Sequence, residues 1–322
     1  MSQEFNKEDQ QKSVLAYLEK VFGVPIIIEQ SQTVNISETL FIKNSYEQKL
    51  VLRKDVLGSS DESLIAQQKF LKHLKGRGFP AVLPIEFNGL PFFQVEGSKF
   101  TLYPFIEGRQ LSVELLDEVE ETFHLMGQFI AISSFYDSSE PIWHTRWWSL
   151  ADYPFVNNFK CFIENYSTPP EVKQIYKTTK RQIFDYLINP VANNQLKEGI
   201  IHSDFRPEHF IFNNSCVNGV VDWTSAHHDV FAMELARPFL YICQTYEERK
   251  TLLDIVARSA GFTEDDKKAA YYSPLLLELA EYVWIVRNQT KMQAEVYNNE
   301  LSKSVRTINK AFEVSKEVSR SL

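Results

Sequence analysis

The chain has 322 residues, 44% hydrophobic and 24% charged, which are proportions of a globular protein and exclude wholesale disorder. Its 34 basic against 42 acidic residues leave a net charge of −8, which excludes a general nucleic-acid binder, because a phosphate backbone needs a basic field. Cys161, Cys216 and Cys243 are too few and too dispersed for a disulfide framework or a zinc knuckle. The polar, acidic start lacks the basic and apolar regions of a signal peptide. No apolar run approaches the ~20 residues that span a bilayer, so the expectation is a cytoplasmic protein with reduced thiols.

Taken in chain order, Glu8 to Phe22 carries Val14, Leu15, Leu18, Val21 and Phe22 at helical spacing and stops at Gly23 and Pro25. Ile26 to Ile28, Thr39 to Ile42 and Leu50 to Arg53 read as short strands. Ser59-Ser60-Asp61-Glu62 has the Ser-x-x-Glu form of a capping box. It opens a helix with Leu64, Ile65, Leu71 and Leu74 on its apolar side, ended by Gly76, Gly78 and Pro80. Phe92 to Val95 and Phe100 to Phe105 pair as a hairpin. Residues 1–106 thus read as a small α+β domain and 107–322 as a second, mostly helical one. Helical patterns cover Leu115 to Phe135, Glu171 to Leu187 and Ser273 to Asn288, and an apolar stripe from Leu301 through Ile308, Ala311 and Val314 to Val318 marks a last helix. Within this half, His209 to Phe212 and Val217 to Asp222 flank Asn213-Asn214-Ser215, a β-hairpin signal.

Acids bracket that hairpin. Upstream stands His202-Ser203-Asp204-Phe205-Arg206-Pro207-Glu208-His209, and downstream Val221-Asp222-Trp223. Closing the hairpin brings Asp204 and Asp222 to the same end, where one carboxylate can orient a nucleophile while the other holds a metal ion. This stretch resembles the aminoglycoside phosphotransferase/choline kinase superfamily, relatives of the protein kinases. That family reads His-Gly-Asp, four residues, Asn, a hairpin, then hydrophobic-Asp-Trp. Further upstream, Lys49-Leu50-Val51-Leu52-Arg53 is similar to the strand whose cation meets the nucleotide phosphates. Residues 63–74 are similar to the helix that offers a Glu to that cation, and Phe100-Thr101-Leu102-Tyr103-Pro104-Phe105 to the hinge at the adenine.

The resemblance implies a protein-kinase-like bilobal α+β fold: a small β-rich nucleotide-binding N-lobe (1–106) and a larger helical C-lobe (107–322) with a central hairpin. It implies Asp204 as the base that receives the substrate hydroxyl, and Asp222 with His209 at the metal. Arg53 would meet the phosphates, Gln67 would stand where the helix Glu belongs, and Leu102, Tyr103 and Phe105 would line the adenine. The cofactors would be ATP or GTP with Mg²⁺, and the partner a small-molecule hydroxyl acceptor, with neither nucleic acid nor membrane involved.

Three departures stand against the pattern. His209 replaces the Asn; an imidazole suits Mn²⁺ or softer ions better than Mg²⁺ and can instead bond the loop backbone. Gln67 replaces a charged partner, and a charge-assisted hydrogen bond is roughly twice as strong as a neutral one. The nucleotide-covering loop within Gln32 to Leu40 has no glycine. They leave a second reading open, a catalytically impaired pseudokinase that binds a nucleotide or a partner protein. Lys54 competes with Arg53 as the phosphate cation. His227, His228 and Asp229 read as a solvated loop, Asp229 alternatively as a structural loop support. Trp143, Trp147, Trp148 and Tyr153 read as core, alternatively as a substrate wall.

Overall fold

Along Lys49–Lys54, Leu50 and Leu52 are buried while Lys49 is exposed and Val51 and Arg53 are half-buried, the period-two signature of a strand with one face in a core. The computed structural model describes residues 2–34, 37–55, 59–140, 143, 168–243, 245–291 and 294–319. Contacts divide the chain into two units, Met1–Gly108 and Arg109–Leu322.

Unit 1 contains a five-stranded antiparallel sheet in the order β1-β2-β3-β5-β4, built from β1 (Ile26–Val34), β2 (Ser37–Asn44), β3 (Lys49–Lys54), β4 (Phe93–Val95) and β5 (Ser98–Pro104). Leu40, Leu52 and Leu102 lie opposite one another across three strands, and Ile42 lies opposite Leu50 across two of them. That face buries them with Val14 and Leu18 of helix α1 (Ser2–Phe22) and with Phe87, Phe93 and Phe100. The alternate register, Phe41–Val51–Tyr103 and Thr39–Arg53–Thr101, faces the other way.

Helix α2 (Asp61–Gly76) starts one residue later than the Ser59–Glu62 box predicts. Its cap is Ser60, whose Oγ accepts from Ser63 N at 3.1 Å. Ser59 is engaged instead by Asp55, to which its backbone N–H donates at 2.7 Å.

In unit 2, α3 (Leu116–Ser133) packs on α6 (Tyr246–Ala260) at Gly127, where a Cβ would stand 2.8 Å from Ser259 Cβ. Helix α4 (Pro170–Ile183), the short α5 (Ala236–Tyr241), α7 (Glu264–Arg287) and α8 (Ala294–Ser319) are further helices of this unit. Ile308, Ala311 and Val314 are buried in α8, as the stripe predicts. Helix α7 begins well before Ser273, with a reciprocal Thr263–Asp266 capping box, and runs through Pro274. The proline removes the amide that would satisfy the Ala270 carbonyl four residues back, and Ser273 Oγ donates to that carbonyl at 2.8 Å instead.

Among the described residues two small sheets interrupt the helices. One is the three-stranded β6-β8-β9, with β6 (Arg109–Gln110), β8 (Phe210–Asn213) and β9 (Cys216–Val220). The β8–β9 turn is Asn214–Ser215, both with positive φ (50° and 65°), as a tight hairpin requires. The other pairs β7 (Glu198–Ile201) with β10 (His227–Val230). This corrects the solvated-loop reading of His227, His228 and Asp229: all three are buried, because β7 supplies the backbone partners that a loop would seek in water. No described helix is long and apolar enough to cross a membrane.

Candidate active site

The loop carrying Asp204 is shaped by three buried groups. Ser203 is left-handed (φ 63°), which turns the chain sharply after β7. Glu234 holds that turn: its carboxyl group accepts from His202 N at 2.5 Å and Ser203 N at 3.0 Å. Burial pushes the Glu234 carboxyl up to about 8, against the pull of those two amides, with Asp204 and Asp229 adding like charge.

His202 ties the two acidic segments together. Its Nε2 lies 3.0 Å from the Val221 carbonyl, which can only accept, so Nε2 carries the proton. Nδ1 then accepts from Asp204 N at 3.3 Å. The ring is fully enclosed, stacked on Phe205 and edge-on to Trp223. Burial, followed by the neighbouring His209, lowers its pKa to about 4, so it stays neutral. One imidazole thereby fixes the backbone of Asp204 and of the residue before Asp222.

His209 repeats the device from the hairpin side. Its Nδ1 is 2.6 Å from the Asp204 carbonyl, so Nδ1–H donates and the Nε2 lone pair points outward. Nε2 stands 3.8 Å from Asp222 Oδ2, and Nδ1 3.9 Å from Asp204 Oδ2. The two carboxylates therefore flank opposite nitrogens of one ring. Asp222 is itself left-handed (φ 62°), and its Oδ1 accepts from Thr224 Oγ1 at 2.7 Å.

The Asp204 carboxylate is gripped by Arg206, Nε to Oδ1 at 2.7 Å and Nη2 to Oδ2 at 2.9 Å. Arg237 Nε lies 3.5 Å from Oδ1. Glu234, Arg206 and Arg237 were not singled out from sequence. The signal at hand was Arg206, a cation two residues after the candidate base.

Asp222 Oδ2 and His209 Nε2 are two acceptors facing each other, a donor set that fits a cation. Among the described residues no group of three or more His, Cys, Asp or Glu gathers to hold an ion. A metal here would draw its remaining ligands from phosphate oxygens and water, as Mg²⁺ commonly does.

In unit 1, Arg53 is half-buried on the sheet face opposite α1, with Val51 and Tyr103 on the same side. Phe105 is edge-on to Phe41 with Lys49 Nζ 5.2 Å from its centroid, at the end of that face. Leu102, in the run whose backbone the resemblance sets at the adenine, turns its side chain the other way. It is fully buried on the α1 side and its carbonyl accepts from Ile85 N at 2.7 Å, because strand alternation turns it away from Arg53. Gln67 is half-buried, while Gln68 is buried and donates to Glu86 at 2.8 Å. Trp143 is buried beside Tyr136; Trp147, Trp148, Tyr153 and Cys161 lie outside the described residues, as do Asn35 and Ile36 of the nucleotide-covering loop.

Residues 35–271 match the family model described as the phosphotransferase enzyme family. The chain belongs to this phosphotransferase family. A curated relative, homoserine kinase of Bartonella tribocorum (strain CIP 105476 / IBS 506), is 25% identical over 175 residues, covering 52% of this chain. The chain spans about half the length of that relative, 50% of it. Among solved structures, the GDP complex of aminoglycoside 2'-phosphotransferase-IIIa superposes with a TM-score of 0.71 at 12% identity, covering 96% of this chain and 99% of that one. Amicoumacin kinase in complex with AMP-PNP and Ca²⁺ gives 0.62 at 12% identity, covering 97% and 96%. Choline kinase LicA from Streptococcus pneumoniae gives 0.61 at 14% identity, covering 93% and 99%. The phosphotransferase chain thus has the kinase-like α+β fold of these proteins.

Proposed function

We propose that this phosphotransferase is a small-molecule kinase that moves the γ-phosphoryl group of ATP or GTP to an alcohol hydroxyl. The observation that carries the reading is the pair of carboxylates, Asp204 and Asp222, flanking the two nitrogens of His209. In this reading unit 1 serves the nucleotide, through Arg53 at its phosphates and Tyr103 and Phe105 at its base. Asp222 and His209 Nε2 would hold Mg²⁺ or Mn²⁺, and the ion would supply neutralisation of phosphate charge. Asp204 accepts a hydrogen bond from the acceptor hydroxyl and sets its oxygen in line with phosphorus. As the new P–O bond forms, the bond to the nucleoside diphosphate breaks, and the hydroxyl proton passes to Asp204 and then to water. Little covalent work falls to the protein; its task is orientation. A cytoplasmic reaction without nucleic acid or membrane completes the reading.

Homoserine is the first acceptor to try, given the homoserine kinase relative, followed by choline and aminoglycosides. The test is nucleotide turnover on this panel with Mg²⁺ and with Mn²⁺, together with Asp204→Asn and Asp222→Asn. Turnover that drops by about 10²-fold or more in each variant, with the fold intact, is the expected result. The pseudokinase reading is favoured by one feature, the Arg206 fork that engages both oxygens of Asp204. It predicts nucleotide-dependent thermal stabilisation without metal and no phosphate transfer to any acceptor.

A further inference from the structure

We infer that Arg237 is a positioning residue for Asp204, taking over that carboxylate when an acceptor hydroxyl displaces Arg206. The inference rests on the kinase reading for its acceptor, but the geometry behind it lies wholly within unit 2.

Two guanidinium groups of different character meet Asp204. Arg206 forks onto both oxygens and is 34% exposed, so it can leave toward solvent. Arg237 comes from α5 and is 9% exposed. Its Nη1 donates to Glu278 Oε1 at 3.2 Å and Glu281 Oε2 at 3.3 Å, its Nη2 bonds Glu281 Oε1, and its Cζ lies 5.8 Å from the Tyr241 ring centroid. Both terminal nitrogens are thus anchored to α7. The Nε–H alone among its nitrogens is buried without a hydrogen-bond acceptor, and it stands 3.5 Å from Asp204 Oδ1. Buried donors of this kind are rarely left unmade. A shift of roughly 0.6 Å brings the pair to the ~2.9 Å of a charge-assisted hydrogen bond.

The arrangement solves a problem that the Arg206 fork creates. When an acceptor hydroxyl takes the place of Arg206, both of its bonds to Asp204 are lost, and a carboxylate held by nothing else would turn about its own axis. Arg237 on Oδ1 keeps the plane of Asp204 fixed and leaves Oδ2 for the hydroxyl. Orientation of this kind matters because misplacement by about 1 Å can cost about 10²-fold in rate.

The decisive experiment is a crystal structure of Arg206→Ala without ligand. The Asp204 Oδ1 to Arg237 Nε distance is expected to close from 3.5 Å to about 2.9 Å. A gap that stays open, or an Asp204 side chain turned to solvent, overturns the inference. The second arm is kinetic, with homoserine, choline and kanamycin as acceptor probes. Arg237→Lys keeps the positive charge beside Glu278 and Glu281 but has no Nε–H. It should lower kcat by about 10- to 100-fold with the nucleotide KM unchanged, and more steeply in the Arg206→Ala background. A folded Arg237→Lys with unaltered kcat contradicts the role. If the lysine variant does not fold, Glu278→Gln loosens the same anchor and should lower kcat in the same direction. Wild-type inactivity on every acceptor defeats the kinase reading, and the Arg206→Ala structure still decides this one.

Discussion

Replacing Glu234 by Gln perturbs the candidate catalytic loop at a single atom. The wild-type carboxyl, 1% exposed, offers an acceptor to both His202 N and Ser203 N. The amide offers one, so one buried N–H is left facing an NH₂ group, at a cost of about 1–3 kcal/mol. At about 2–4 °C per kcal/mol for a domain of this size, Tm should fall by roughly 2–12 °C. The loss depends on pH. Glu234 ionises near its ordinary 4.5 when unfolded and near 8 when folded, raised by burial. Between those values the folded protein keeps a proton that the unfolded chain has lost. Wild-type stability therefore falls as pH rises through this window, by on the order of a few kcal/mol. Gln cannot titrate. The gap between the two proteins should be widest near pH 5 and shrink toward pH 8. Urea unfolding of both at four pH values measures it. A gap that is constant, or that widens toward pH 8, refutes the reasoning that this carboxyl is held protonated by its burial.

Other variants test the remaining parts of the site and its support. His202 is depressed from 6.5 to about 4 by burial, so the folded state refuses a proton that the unfolded chain accepts. The His202 contribution should be intact above pH 6.5 and lost as pH falls toward 4, on the order of 3 kcal/mol, and His202→Asn should remove this acid limb from denaturation curves. His209→Asn should lower the ratio of Mn²⁺- to Mg²⁺-supported turnover by roughly tenfold; an unchanged ratio takes the imidazole away from the metal. Gly127→Ala sets a Cβ 2.8 Å from Ser259 Cβ and 3.2 Å from the Val256 backbone, so calorimetry should record a loss of about 1–3 kcal/mol from overpacking α3 on α6.

Local alternation made the β3 strand and the turn at Asn214–Ser215 legible, because burial on one face and a positive-φ turn each leave a mark within a few residues. The same holds for Asp204 and Asp222, whose spacing around the hairpin announces that they converge. What stayed hidden depends on partners far along the chain. His227–Val230 is polar in composition, and only pairing with Glu198–Ile201 buries it. Helix α7 crosses Pro274 because a serine one residue earlier takes up the stranded carbonyl. Leu102 sits in a hinge-like run yet faces the core, since register rather than motif decides which side a strand residue takes. Glu234, Arg206 and Arg237 acquire meaning only through distances to Asp204 and its backbone. The amino-acid order alone determined the two acids and the class of chemistry that they suit. The tertiary packing decided how each acid is held, because hydrogen bonds to buried groups are made between segments that sequence position does not relate.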